Sequence, residues 1–187
     1  MDFLRTPPLR YELLRSTAAF AVVTVVGFLF GQLYPQLRDA WLGRYTVGGA
    51  VLSPLDLLSS GLVSCGLAIL VGLIPFVQLP AMSLGANGIL LGAVFSQYIG
   101  QGGGIAAYLA ATLPHAIFQL PALLVSFALG LRLCALVTAS VRQRKADPRL
   151  RPTLNAVSEV YFLLLFPLLS AAALAEVFVS PRLYALF

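Results

Sequence analysis

Apolar positions in this chain fall in long runs separated by short polar stretches rich in proline, glycine and arginine. A bilayer-spanning helix needs ~20 mostly apolar residues, and the runs have that scale. The first predicts a span from about Thr17 to Tyr34, ended by Pro35. Pro7-Pro8 are expected to keep the basic leader, residues 1–16, out of that helix, with Leu9 to Ser16 as a short interfacial approach. The linker PQLRDAWLGRYTVGGAVLSP carries Trp41 and Tyr45, which suit the headgroup region, and part of it is expected to lie flat on the membrane. Ser53-Pro54-Leu55-Asp56 reads as a helix start, with a capping serine, proline at the first position and an acid at the third. The second span then runs from Pro54 to about Phe76, VQLP makes a tight connection, and a third runs from about Met82 to Ile99.

From Gly104 to Val137 the chain stays apolar for too long to be one ordinary span and too briefly to be two. Pro114 divides the stretch. The pattern predicts a re-entrant half-helix, Ile105 to Thr112, and then a full span from about His115 to Thr138, with the break facing the bundle interior. Gly102, Gly103 and Gly104 read as a hinge before it, with Pro114 and Pro121 as helix breaks within it. A last span runs from about Thr153 to Phe178, kinked at Pro167. The fold class is therefore all-α: a polytopic integral membrane bundle of five spanning helices plus a re-entrant half-helix, with six spans as the alternative. Residues 1–187 form one transmembrane domain.

Composition agrees with this reading. Charged residues make up 10% of the chain and mean hydropathy is +0.92, too few charges to cover a water-facing surface. The net charge of +5 comes from arginines and lysines between the apolar runs, where they report topology and not nucleic-acid binding. Arg142, Arg144, Lys145, Arg149 and Arg151 cluster in residues 141–152, so that loop and the N-terminus are expected to be cytoplasmic and the C-terminus outside. Six spans would put the basic loop outside, which ranks that alternative second. The first span has no clear cleavage site after it and reads as uncleaved. Cys65 and Cys134 sit in apolar runs without metal or redox spacing and read as buried small hydrophobes.

Ionisable groups at membrane depth usually face a bundle interior or a cavity. Arg132 and Glu159 lie near the basic loop and are expected to snorkel to the headgroups, and Gln97 lies at the end of its run. His115 and Gln119 are four apart and share a helix face. Both are expected near the outer end of their span, with Glu176 at a similar depth, while Asn87 begins the third span and is expected nearer the inner side. Such a set could form a hydrogen-bonded clasp between helices, a proton or ion path, or a metal site. His115 and Glu176 are the residues a metal would draw on, but a single histidine and a glutamine make a poor ligand set. No nucleophile elbow, phosphate loop or zinc motif occurs, so neither enzymatic chemistry nor a cofactor is expected. Gly85-Gly88-Gly92 and Ser126-Gly130 permit close helix approach, either inside the bundle or in a homodimer.

Three segments, NGILLGAV (Asn87 to Val94), LPHAIFQLPALLVSFALGLRL (Leu113 to Leu133) and LLSAAALAEVFVSP (Leu168 to Pro181), together resemble the stage II sporulation protein M family, SpoIIM, of small integral membrane proteins. The resemblance covers roughly the last two-thirds of the chain. It departs from the family where Ala116 and Gln119 replace a usual glycine and glutamate, and where Ser59-Ser60-Gly61 replaces paired asparagines. The resemblance implies a non-enzymatic component of the bacterial cytoplasmic membrane. In sporulation-type engulfment, the family's founding protein works with two peptidoglycan-degrading partners, SpoIID and SpoIIP. By analogy the expected partners are extracytoplasmic or membrane proteins such as cell-wall hydrolases, met near His115 and Trp41. A small-solute, ion or metal transporter built around a break at Pro114-His115 is the competing reading.

Overall fold

The computed structural model describes residues 7–42, 53–76, 79–102, 104–145 and 147–186. The leader's first six residues with Arg5, the linker 43–52 with Tyr45, residues 77–78 of VQLP, Gly103 and the Trp41 ring lie outside the described residues. All the regular structure described is helical. Among the described residues, five stretches, Tyr11–Leu33, Pro54–Leu73, Pro80–Gly100, Ile105–Gln143 and Leu150–Leu183, are long and apolar enough to cross a membrane. The chain folds as the expected polytopic bundle.

Helix α1 spans Pro7–Leu33. The leader residues Leu9 to Ser16 thus belong to the first helix and not to a separate interfacial piece. Pro7 and Pro8 stand in its first turn, where the backbone N–H has no intrahelical partner to lose. Pro35 ends α1 and at once opens α2, Pro35–Leu42, with Tyr34 alone between them. Helix α3, Pro54–Leu70, starts as its sequence predicts: Asp56 N–H donates to Ser53 Oγ (3.2 Å) and Ser53 N–H donates to Asp56 Oδ2 (3.1 Å). It tightens into a 3₁₀ turn at Val71–Leu73, and α4 follows over Leu79–Gly100.

Helix α5 corrects the expected break. It is one helix, Ile105–Gln143, 39 residues long, with Pro114 and Pro121 inside it. At ~1.5 Å per residue it extends about 58 Å, well beyond the ~30 Å hydrocarbon thickness. No re-entrant half-helix forms, because membrane helices tolerate proline where neighbouring helices hold the flanking turns. Here α1, α4 and the last helical stretch all pack on α5. Of the hinge glycines, Gly102 has φ 81° and turns the chain out of α4, and Gly104 caps α5 in an extended conformation.

The last stretch meets its prolines differently. Helices α6 (Leu150–Val160), α7 (Phe166–Leu174) and α8 (Ser180–Tyr184) are joined by π-helical segments at Tyr161–Leu165 and Ala175–Val179. Each π segment ends two residues before a proline, Pro167 or Pro181. The residue preceding each proline donates five residues back, Phe166 N–H to Tyr161 O and Ser180 N–H to Ala175 O. An α-turn would press the proline ring onto the carbonyl four residues back, and the wider π-turn gives it room.

Helix α5 is the hub, with 50% of its most apolar window buried against 11% for α1. Its core residues Phe127, Leu129 and Leu133 are almost fully covered. Elsewhere large apolar side chains such as Val22, Leu55, Leu67, Ile117 and Phe162 point outward, a surface suited to lipid and ill-suited to water. Lipid supplies no hydrophobic drive between helices, so close packing must hold them. A Cβ on Gly92 would strike Thr24 O and Phe28 N of α1, and one on Gly130 would strike Ala68 O of α3. The small residues at 88, 92 and 130 therefore serve packing within the bundle, whereas Gly85 faces open space.

Candidate functional site

Polar groups gather where α1, α4 and α5 meet. Thr24 on α1, Asn87 on α4, and Tyr108, Thr112, His115 and Gln119 on α5 line one largely apolar cavity of about 560 Å³. The sequence-predicted residues Asn87, His115 and Gln119 are thus brought together. The spacing on α5 explains this: positions 108, 112, 115 and 119 recur at three and four, which stacks them on one face.

The helices satisfy several of these groups themselves. Asn87 Nδ2 donates to Ser83 O (2.9 Å), Thr112 Oγ1 to Tyr108 O (2.8 Å) and Thr24 Oγ1 to Phe20 O (2.8 Å). His115 Nδ1 is buried and has no hydrogen-bond partner among the described residues. Tilted aromatic pairs bound the cavity, Phe28 with Phe95 (5.3 Å between centroids) and Phe95 with Tyr108 (4.7 Å). Glu176 does not join the group. It lies on the second π segment, which also packs on α5, but it does not line this cavity.

Next to the aromatic pairs is a second polar cluster, which sequence reasoning passed over. Arg38 of α2 is 5% exposed. Its Nη1 donates to Gly31 O (3.3 Å) and Ser96 Oγ (3.2 Å), and its Nε pairs with Asp39 Oδ1 (2.8 Å). Gln97 Nε2 donates to the same Asp39 oxygen (3.3 Å), and Gln32 Nε2 to Ser96 O (3.4 Å). Gly31 O is one of the last carbonyls of α1, which lack intrahelical donors. Arg38 therefore caps α1 while tying it to α4, with its positive charge at the negative end of the helix dipole. The Arg38 guanidinium beside Asp39 holds that carboxyl below the usual carboxylate range. The spacing of Arg38 and Leu42, four apart, puts both on one buried face of α2, but nothing local in the sequence points to Ser96 as the partner.

Among the described residues, no three histidine, cysteine, aspartate or glutamate side chains come together as a metal-binding group. His115 and Glu176 are not joined at one site. Cys65 and Cys134 are both buried, and Cys134 Sγ donates to Ile74 O at 3.5 Å. The transport reading depended on a helix broken at Pro114, and α5 is unbroken there.

Two features now stand beside the sequence pattern. One is a bundle organised on α5; the other is the set of residues from NGILLGAV and LPHAIFQLP on opposite walls of one cavity. No curated protein and no solved structure gives a significant match to the chain. The family model described as stage II sporulation protein M matches residues 16–181, reaching back through the first span well beyond the three resembling segments. With nearly its whole length so matched, the chain belongs to the stage II sporulation protein M family.

Proposed function

We propose that this chain is a non-enzymatic scaffold of the bacterial cytoplasmic membrane that holds peptidoglycan-remodelling partners at its outer end, as in sporulation-type engulfment. The family match over residues 16–181 carries this reading. The distribution of charge supports its orientation. Arg15 on α1 stands at the same end of the bundle as Phe76 and the basic segment with Arg142, Arg144, Lys145, Arg149 and Arg151. Positive charge collects on the cytoplasmic side, so the opposite end, with α2, the Arg38 cluster and the Gly102 turn, faces outward and the C-terminus lies outside. That end offers exposed apolar groups on a helix outside the spans, Leu37 on α2 at 59% exposure among them.

A photo-cross-linker placed at Leu37 or Gln101 in the native host tests the reading. The expected outcome is a covalent adduct with a cell-wall hydrolase or a membrane partner of one, absent when the linker is moved to Lys145 at the other end. Adducts that never include a wall enzyme would rule the scaffold out.

A further inference from the structure

A second cavity, of about 590 Å³, opens at the basic end between the start of α1, the end of α5 and the turn after α3. Its rim holds Glu12, Arg15 and Arg142, while Ala19, Leu84 and Leu131 line its apolar side. Both arginines are exposed. Between rim and floor lies Ser16, only 2% exposed, whose Oγ has no hydrogen-bond partner among the described residues. A hydroxyl buried without a partner costs free energy, and here it borders a cavity able to hold one.

The wall opposite Ser16 is held in an unusual conformation. Phe76 has φ 66°, a left-handed backbone that is rare for an aromatic residue. Its N–H donates to Thr138 Oγ1 of α5 at 3.0 Å. The Arg142 guanidinium sits over the Phe76 ring, 5.8 Å from its centroid, a cation–π arrangement. The strained turn thus fixes the ring beneath one of the two rim cations.

We propose that this cavity binds the phosphodiester headgroup of an anionic phospholipid. Arg15 and Arg142 flank the phosphate, Ser16 Oγ donates to it, and the glycerol and first acyl carbons descend along Ala19, Leu84 and Leu131. Two arginines and one glutamate leave the rim with a single positive charge, which matches a singly charged phosphodiester. The apolar side favours a lipid over free phosphate, because it gives the acyl carbons a surface that an inorganic ion leaves wet. Arg15 lies near the start of the first candidate span and Arg142 at the end of the fourth, which puts the cavity at headgroup depth, where basic pockets between membrane helices take lipid phosphates. The inference does not depend on the scaffold reading.

Native mass spectrometry of the purified full chain in detergent tests it, with phosphatidylglycerol, phosphatidylcholine and inorganic phosphate offered separately. Retained phosphatidylglycerol adducts are expected, weakened roughly tenfold or more by Arg15→Gln with Arg142→Gln, the loss due to two cations near a lipid phosphate. Ser16→Ala, which adds no bulk, is expected to weaken binding several-fold and serves if the double variant fails to fold. Arg144→Gln with Lys145→Gln, the same charge change outside the cavity, is expected to have little effect. Equal binding of phosphatidylcholine, equal loss from the Arg144 and Lys145 pair, or saturation by inorganic phosphate alone would each overturn the lipid assignment.

Discussion

The Arg38 guanidinium is shared among a carboxylate, a hydroxyl and a helix-end carbonyl, so removing it strands several polar groups at once. Arg38→Met keeps most of the apolar stem but is expected to cost about 2 kcal/mol, the scale of hydrogen bonds to a charged group. The check is a lower unfolding midpoint in detergent. Asp147 has a comparable role at the other end. It is the one acid in the basic loop, its N–H donates to Ser140 Oγ (2.9 Å), and it accepts from Arg149 N–H (2.9 Å), Nε (3.1 Å) and Nη2 (3.1 Å). These contacts hold its carboxyl below the usual carboxylate range, with the Arg149 side-chain bonds the main cause. A carboxyl depressed in the folded state stabilises above its ordinary pKa and loses that contribution as pH falls through the folded value. Below about pH 4, near the ordinary aspartate pKa, amide-exchange protection of residues 149–153 is therefore expected to fall. Asp147→Asn is expected to show the weaker protection at every pH. His115 and Gln119 could be paired from their spacing, because they share a helix face. Depth points to Glu176 as their companion and puts Asn87 nearer the inner side, whereas the cavity joins Asn87 to them and leaves Glu176 out. Arg38 could not be paired from spacing, because its partner Ser96 lies 58 positions away and local pattern carries no trace of that pairing.

At the scale of elements, run length alone located the five spans, since the bilayer imposes one length on every crossing helix. The capping box of α3 was equally legible, being local. The error lay in α5, where two prolines and a lone histidine read as a break. Proline disfavours a helix locally, but α5 is packed by α1, α4 and the last stretch, and that packing decides. Pro114→Ala restores a backbone donor inside an already continuous helix. It is expected to leave helicity unchanged and stability equal or higher, by circular dichroism and thermal unfolding; a collapse of the fold would show that the proline itself is needed. Pro167 predicts a kink in the last stretch, but no residue pattern marks the π segments before Pro167 and Pro181. Close-packing glycines give a sharper contrast. Gly92→Val would drive a side chain into Thr24 O and Phe28 N and is expected to cost about 2 kcal/mol or more. Gly85→Ala meets nothing within 4 Å and is expected to be neutral or stabilising by up to about 1 kcal/mol, because alanine is the better helix former.

For the whole molecule, α5 is the post on which the other spans are arranged, and the bundle has two unlike ends. One carries the Arg38 cluster and the aromatic pairs that bound the His115 cavity; the other carries the basic segments and the Arg15–Arg142 cavity. Both the scaffold reading and the lipid inference require these ends to lie on opposite faces of the membrane, and that requires Ile105–Gln143 to be a single crossing. Single cysteines introduced as Gln101→Cys and Lys145→Cys, in a background with the buried Cys65 and Cys134 replaced, test this with a membrane-impermeant maleimide on intact cells. Position 101 is expected to label from outside, and position 145 only after the membrane is opened. Labelling of both from the same side would contradict the single crossing, and the account of the fold with it.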